Sequence, residues 1–225
     1  MMKKILIGVL AFFLLIIAAA VVLPIIFKDD IIALVKEEAN NNLNATIDFG
    51  DIGLSIFESF PDFTLTIENV KVTGIGQFVG VNLADIKALK LSLDLMSVIS
   101  GEKIQINTIG LVSPNMHVIV MPDGTANYDI TKPSEESSEP AEDESTAEEG
   151  DGGFSIGLSE YYIRNANIIY DDRAGKMYAK LVNFTHEGSG DFTQDDFLLE
   201  TMTDADAVTF KMDGVPYLNS TKLDM

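Results

Sequence analysis

The sequence contains no cysteine and no tryptophan. Without cysteine there is no disulfide frame and no thiolate metal site. In an exported protein that absence favours a bacterial periplasm over a eukaryotic secreted module. Positive charge is scarce as well: 15 Lys and Arg stand against 35 Asp and Glu, a formal net charge of −20. That balance argues against nucleic acid, which needs a basic footprint, and against docking of the acidic body on anionic head groups. Histidine is limited to His117 and His186, far apart in the chain, so no zinc site is expected and no cofactor is implied. No G-x-S-x-G, P-loop or Rossmann glycine pattern occurs; Gly74 to Gly80 spells G-x-G-x-x-x-G but follows no βα unit. The aspartates at 171–172, 195–196, 204 and 206 sit beside turn-forming residues and read as turn or loop carboxylates rather than acid–base pairs.

Long apolar runs are missing too, with one exception. Residues 5–27, ILIGVLAFFLLIIAAAVVLPIIF, carry no charge. At about 1.5 Å per residue they make roughly 35 Å of helix, against a hydrocarbon core of about 30 Å. Ala18-Ala19-Ala20 resembles a signal-peptide cleavage site, but the apolar run continues to Phe27, longer than the usual h-region. An uncleaved single-pass anchor is expected. Lys3 and Lys4 precede it, whereas Lys28 is followed at once by Asp29 and Asp30. The positive-inside rule therefore places the N-terminus in the cytoplasm and about 200 residues outside.

After the anchor, Ile31 to Asn44 has apolar residues four apart, the spacing of an amphipathic helix. From Thr46 the period becomes two. The runs Phe63 to Glu68, Leu89 to Leu95, Ile104 to Asn107 and Met116 to Met121 alternate apolar and polar residues between Gly, Pro, Asn and Asp. That is the signature of half-buried antiparallel strands. Ser134 to Asp151 holds nine acidic residues and no basic one; it cannot offset its ordering entropy and reads as a solvated linker. Strand patterns resume at Tyr162–Tyr170, Met177–Phe184, Phe197–Met202 and Ala207–Met212. The sequence stops at Leu223-Asp224-Met225 inside another such run, so the sheet is expected to continue in residues beyond it. The segments are thus a cytoplasmic tip and anchor (1–28), a helix plus first β region (29–133), an acidic disordered linker (134–153) and a second β region (154–225).

In order along the chain, the anchor behind Lys3-Lys4, the helix from Asp30 to Leu43, the run LDLMSVISGEKI (93–104), the step IGLVSPNM (109–116) and the close DGTANY (123–128) resemble the N-terminal region of the AsmA family. Val98 and Ile99 stand where the family has leucine in its turn. The resemblance implies an inner-membrane-anchored periplasmic protein whose sheet is long, twisted and curved. It implies a role in outer-membrane biogenesis, like that of bridge-like lipid-transfer proteins in which an apolar groove shields acyl chains. Family members are commonly much longer.

On that reading the fold class is mainly β: a transmembrane helix, one amphipathic helix after it, then a twisted, curved antiparallel sheet. The candidate lipid-facing residues are Leu89, Leu91, Leu93, Leu95, Ile104, Ile106, Met116, Val118 and Val120. The expected partners are the membrane, phospholipid, and periplasmic or outer-membrane proteins. The same alternation also fits a sandwich with a filled core. Two further functions stay open: an anchored β module that binds a periplasmic protein without lipid, and an anchored hydrolase.

Overall fold

Two-residue alternation folds the chain after residue 44 into one sheet. A computed structural model describes residues 28–100, 104–132, 154–192 and 197–225. The expected anchor Ile5–Phe27 and the whole acidic linker (134–153) lie outside the described residues. None of the described helices is long and apolar enough to cross a membrane. By contacts the chain forms two units, residues 1–39 and 40–225. Helix α1 covers Lys28–Asn42, three residues earlier at its start than the spacing of four predicts.

Among the described residues the sheet has nine strands: β1 (Ala45–Asp48), β2 (Ile52–Ser59), β3 (Asp62–Gly74), β4 (Asn82–Leu93), β5 (Ile104–Val120), β6 (Phe154–Asp172), β7 (Met177–Ser189), β8 (Glu200–Met212) and β9 (Val215–Asp224). From β3 to β9 the strands follow chain order, and β1 and β2 share the outer edge of β3. The sheet is open and twisted, with β9 at its far edge.

It is not wholly antiparallel. β5 and β6 run parallel, with Ile104 opposite Phe154 and Val120 opposite Asp172. A parallel pair needs a crossover of a dozen residues or more, and residues 121–153 supply one. Alternation cannot tell the two ladders apart, since both place partners on a common face. The strands on either side of the acidic run thus join a single sheet.

Three expected strand boundaries also move. Ile104 to Asn107 and Met116 to Met121 belong to one 17-residue strand, β5. β8 is one strand where two are expected. Leu95, expected on a strand, opens a short helix α2 (Leu95–Ser100). Asp94 caps that helix, its Oδ1 accepting from the Ser97 amide at 2.6 Å, which is the usual way to satisfy a free amide of the first turn.

Beyond Val120 the chain folds back on the edge of β5. Asn127 is buried at 3 % exposure. Its amide donates to the Ile119 carbonyl, its Oδ1 accepts from the Ile119 amide at 2.8 Å, and its Nδ2 donates to the His117 carbonyl at 2.7 Å. Asn127 thereby serves the end of β5 beyond its last pair with β4, Met116 with Ala84. Farther along, Leu43 bridges to Thr131, and the Asn44 amide donates to the Ile130 carbonyl.

Candidate functional site: an uncovered apolar face

Partners opposite each other in a ladder point to the same face, so register shows which side chains share a surface. One row runs Ile67, Leu89, Leu111, Ile163, His186, Thr203 across β3 to β8. The row beside it is Leu65, Leu91, Ile109, Tyr161, Gly188, Thr201. Toward the other end of the strands a third runs Val72, Ala84, Met116, Ile168, Leu181, Val208.

The first and third rows have opposite parity in sequence. Strict alternation would put them on opposite faces. β6 and β7 show why they are not. From Ile163 to Ala166, β6 uses three residues where β7 uses two, His186 to Phe184. From Ala166 to Ile168 the imbalance reverses, with three residues on β7 from Phe184 to Leu181. Each extra residue is a bulge that resets the alternation, so Ile163, Ala166 and Ile168 share one face with His186, Phe184 and Leu181. Asn165 and Asn183, inside these steps, have φ of 55° and 48°. Ser220 on β9 (φ 55°) sits in the same kind of step, three residues against two on β8, whereas Asn69 on β3 (φ 54°) and Ser113 on β5 (φ 47°) are left-handed with equal counts on both paired strands. Left-handed residues on β3, β5, β6, β7 and β9 thus mark a crease in the sheet, and the apolar face continues through it. Pro114, fully buried, follows the left-handed Ser113, a backbone irregularity of the kind at which a strand admits proline.

The opposite face is polar. Its rows include Thr66, Lys90, Gly110, Tyr162, Glu187 and, beyond the crease, Lys71, Asp85, Asn115, Asn167. Arg164 pairs with Glu187 at 2.6 Å and lies 4.0 Å over the Tyr162 ring. The Glu187 hydrogen bond holds the Arg164 guanidinium above its ordinary pKa. Burial pushes the Tyr162 phenol up.

No second layer covers the apolar face among the described residues of 40–225. Substantial contacts other than those between hydrogen-bonded strands are limited to α2 on β5 and the short 3₁₀ turn Gly76–Phe78 on β3. Leu89, Leu91, Ile109, Leu111, Met116, Val118, Ile163 and Ile168 are accordingly half-buried, shielded by sheet neighbours alone. The filled-sandwich alternative does not describe this sheet.

Of the nine candidate lining residues, Leu89, Leu91, Leu93, Ile106, Met116, Val118 and Val120 hold register positions on this face. Ile104 lies on β5 opposite Phe154. Leu95 is on α2. Sequence reasoning passed over Ile109, Leu111 and the whole contribution of β6 to β8. The missed signal is the repeated spacing of three, Ile67–Val70, Leu111–Pro114, Ile163–Ala166 and Leu181–Phe184, each with Asn or Ser before the second apolar residue.

Among the described residues the histidines and aspartates are not brought together, and the aspartates at 195–196 lie outside the described residues. His117 and His186 stand on different strands and different faces. Asp171 pairs with Arg173, Asp172 accepts from the Gly175 amide in the β6–β7 turn, and Asp206 accepts from Asn183. Among the described residues no three His, Asp or Glu are placed to hold a metal ion.

The family model for the AsmA family matches residues 1–189. A search of curated proteins finds no match.

Proposed function

The chain belongs to the AsmA family, and from that premise we propose that it shields lipid acyl chains on the apolar face of its sheet. In this reading Ile5–Phe27 anchors it in the inner membrane with its N-terminus in the cytoplasm. The sheet lies in the periplasm and supports outer-membrane biogenesis. The observation that carries the proposal is an apolar face, continuous through the crease, with no second layer upon it among the described residues of 40–225. A water-exposed apolar surface of this extent marks an interaction site. Covering it with hydrocarbon gains about 0.8 kcal/mol per CH₂. That gain needs no directional contact, so a chain can move along the face as well as rest on it. The acidic body repels anionic head groups, which leaves the acyl chain as the part of the lipid that is held.

Native mass spectrometry of the full-length protein released from mild detergent tests this reading. Phospholipid bound in fixed stoichiometry is expected, and photocrosslinkers at Leu91 and Met116 should capture it where one at Lys180 does not. A folded, lipid-free monomer overturns the proposal.

A second reading is favoured by β9. It forms the far edge of the sheet, with Val215, Tyr217 and Leu218 exposed. Exposed apolar residues of this kind can be covered by a partner protein. The protein would then be an anchored module for a periplasmic protein, carrying no lipid.

A further inference from the structure

One part of the apolar face is not apolar. Tyr161, His186 and Thr203 lie there on adjacent strands, His186 sharing its row with Ile163 and Thr203. The Tyr161 hydroxyl is 3.1 Å from His186 Nε2, and the Thr203 hydroxyl is 2.8 Å from Nδ1. The arrangement is built by a glycine. Tyr161 stands opposite Gly188, and a β-carbon at 188 would collide with its ring; with none there, the ring crosses β7 to reach the imidazole. Aromatic rings wall the group. Phe184 stacks with His186 at 6.2 Å, Phe192 meets Tyr161 edge-on at 6.0 Å, and Phe197 lies 4.8 Å from Phe192. Glu160, Glu187 and Asp204, the nearest carboxylates along these strands, alternate onto the other face.

We propose that Tyr161, His186 and Thr203 form a polar station that receives the carbonyl oxygen at the head of an acyl chain lying on the sheet. The inference rests on the acyl-shielding reading above and names the part of the lipid that is fixed. Donor accounting supports it. A neutral imidazole donates from one nitrogen and accepts at the other. If Nδ1–H donates to Thr203, then Tyr161 donates to Nε2 and the Thr203 O–H is unspent. If Nε2–H donates to Tyr161, the Thr203 hydroxyl donates to Nδ1 and the Tyr161 O–H is unspent. In either tautomer one hydroxyl hydrogen remains on a face that hydrocarbon would cover. A donor covered without an acceptor is costly. An acyl carbonyl supplies that acceptor, and it is the polar atom attached to the chain itself. The station thus fixes one end of a chain that the rest of the face lets slide.

The test uses the full-length protein in amphipol with three probes of matched chain: methyl oleate, oleate and (Z)-8-heptadecene. The carbonyl probes are expected to bind about tenfold tighter than the hydrocarbon, the worth of one hydrogen bond. They should also move the ring ¹⁵N signals of His186 while leaving those of His117 in place. Tyr161→Phe with Thr203→Val, which keeps the shape and removes both hydroxyls, should abolish the preference and leave (Z)-8-heptadecene binding unchanged. A preference for methyl oleate assigns a lipid ester, and a preference for oleate a free fatty acid. Equal binding of all three probes with His186 unmoved overturns the station while the acyl-holding face stands. Failure of all three to bind overturns both.

Discussion

Tyr162 lies across Gly110 of the neighbouring strand, so close that a β-carbon at 110 would overlap its ring. Tyr161, one residue earlier, does the same over Gly188 on the other face. Each glycine opens the space its tyrosine fills. Gly110→Ala should therefore overpack the polar face and cost about 1–3 kcal/mol, read as a lower denaturation midpoint. Combining it with Tyr162→Ala should recover part of that loss, because the colliding ring is gone and the two changes are coupled through contact.

The crease makes a second prediction. A left-handed backbone costs an ordinary L-residue about 1–2 kcal/mol, and Gly almost nothing. Asn165 has φ of 55° and an exposed side chain. Asn165→Gly should be neutral or stabilising by up to about 1 kcal/mol. Asn165→Val should be destabilising by about 2 kcal/mol, since branching at Cβ adds to the clash. The pair separates conformational strain from side-chain packing, and thermal unfolding measures both.

The same crease explains how much of the fold was legible. Between bulges the period of two is intact, so Leu65 to Ile67, Leu89 to Leu93 and Met116 to Val120 read as strand faces. At Val112-Ser113 the parity of apolar positions changes. A reading that expects strict alternation takes that change for the end of one strand and the start of another, so β5 reads as two strands. Leu95 continued the leucine alternation by one step too many because Asp94 spelled a helix cap that the leucines outweighed. The Tyr161–His186–Thr203 group was not legible, since residues 161 and 203 meet through pairing across β7, which no local pattern encodes.

Asn127 anchors the loop after β5, and a third prediction follows. Asn127→Ala removes the acceptor for the Ile119 amide and the donor to the His117 carbonyl. Unmet buried hydrogen bonds cost about 1–3 kcal/mol each. Amide exchange should quicken over residues 117–131 while β7 and β8 keep their protection, because the loss is local to the edge that Asn127 covers.

Asp123 gives the same loop a pH dependence. Its carboxylate accepts from the Thr125 hydroxyl at 2.6 Å and from the Thr125 amide at 3.1 Å, and the hydroxyl bond leads in holding its pKa below the ordinary carboxylate value. A depressed pKa contributes stability that is present above the unfolded-state value and lost as pH falls through the folded-state one. The melting temperature of wild type should therefore exceed that of Asp123→Asn near neutral pH, and the gap should close below about pH 4. A gap that widens in acid contradicts the assignment.

The uncovered face is tested most sharply by neighbours on one strand. Leu181 stands opposite Ile168 on the apolar side, while Lys180 stands opposite Ile169 on the other. In a filled core, Leu181→Glu would bury an unpaired carboxylate and cost several kcal/mol, enough to unfold a domain of ordinary stability. On a face without a second layer the new carboxylate stays in water, and the cost should be that of a surface change with some lost packing, about 1 kcal/mol. The folded variant should nonetheless lose co-purifying lipid, because a charge on the strip must be desolvated each time an acyl chain covers it. Lys180→Glu, equal in the charge it introduces but facing the other way, should keep both fold and lipid. If Leu181→Glu unfolds the protein, something covers that face. If it folds and keeps its lipid, the acyl chains lie elsewhere. Only the combination of a folded body, lost lipid and an indifferent Lys180→Glu matches a sheet whose apolar side is open for hydrocarbon.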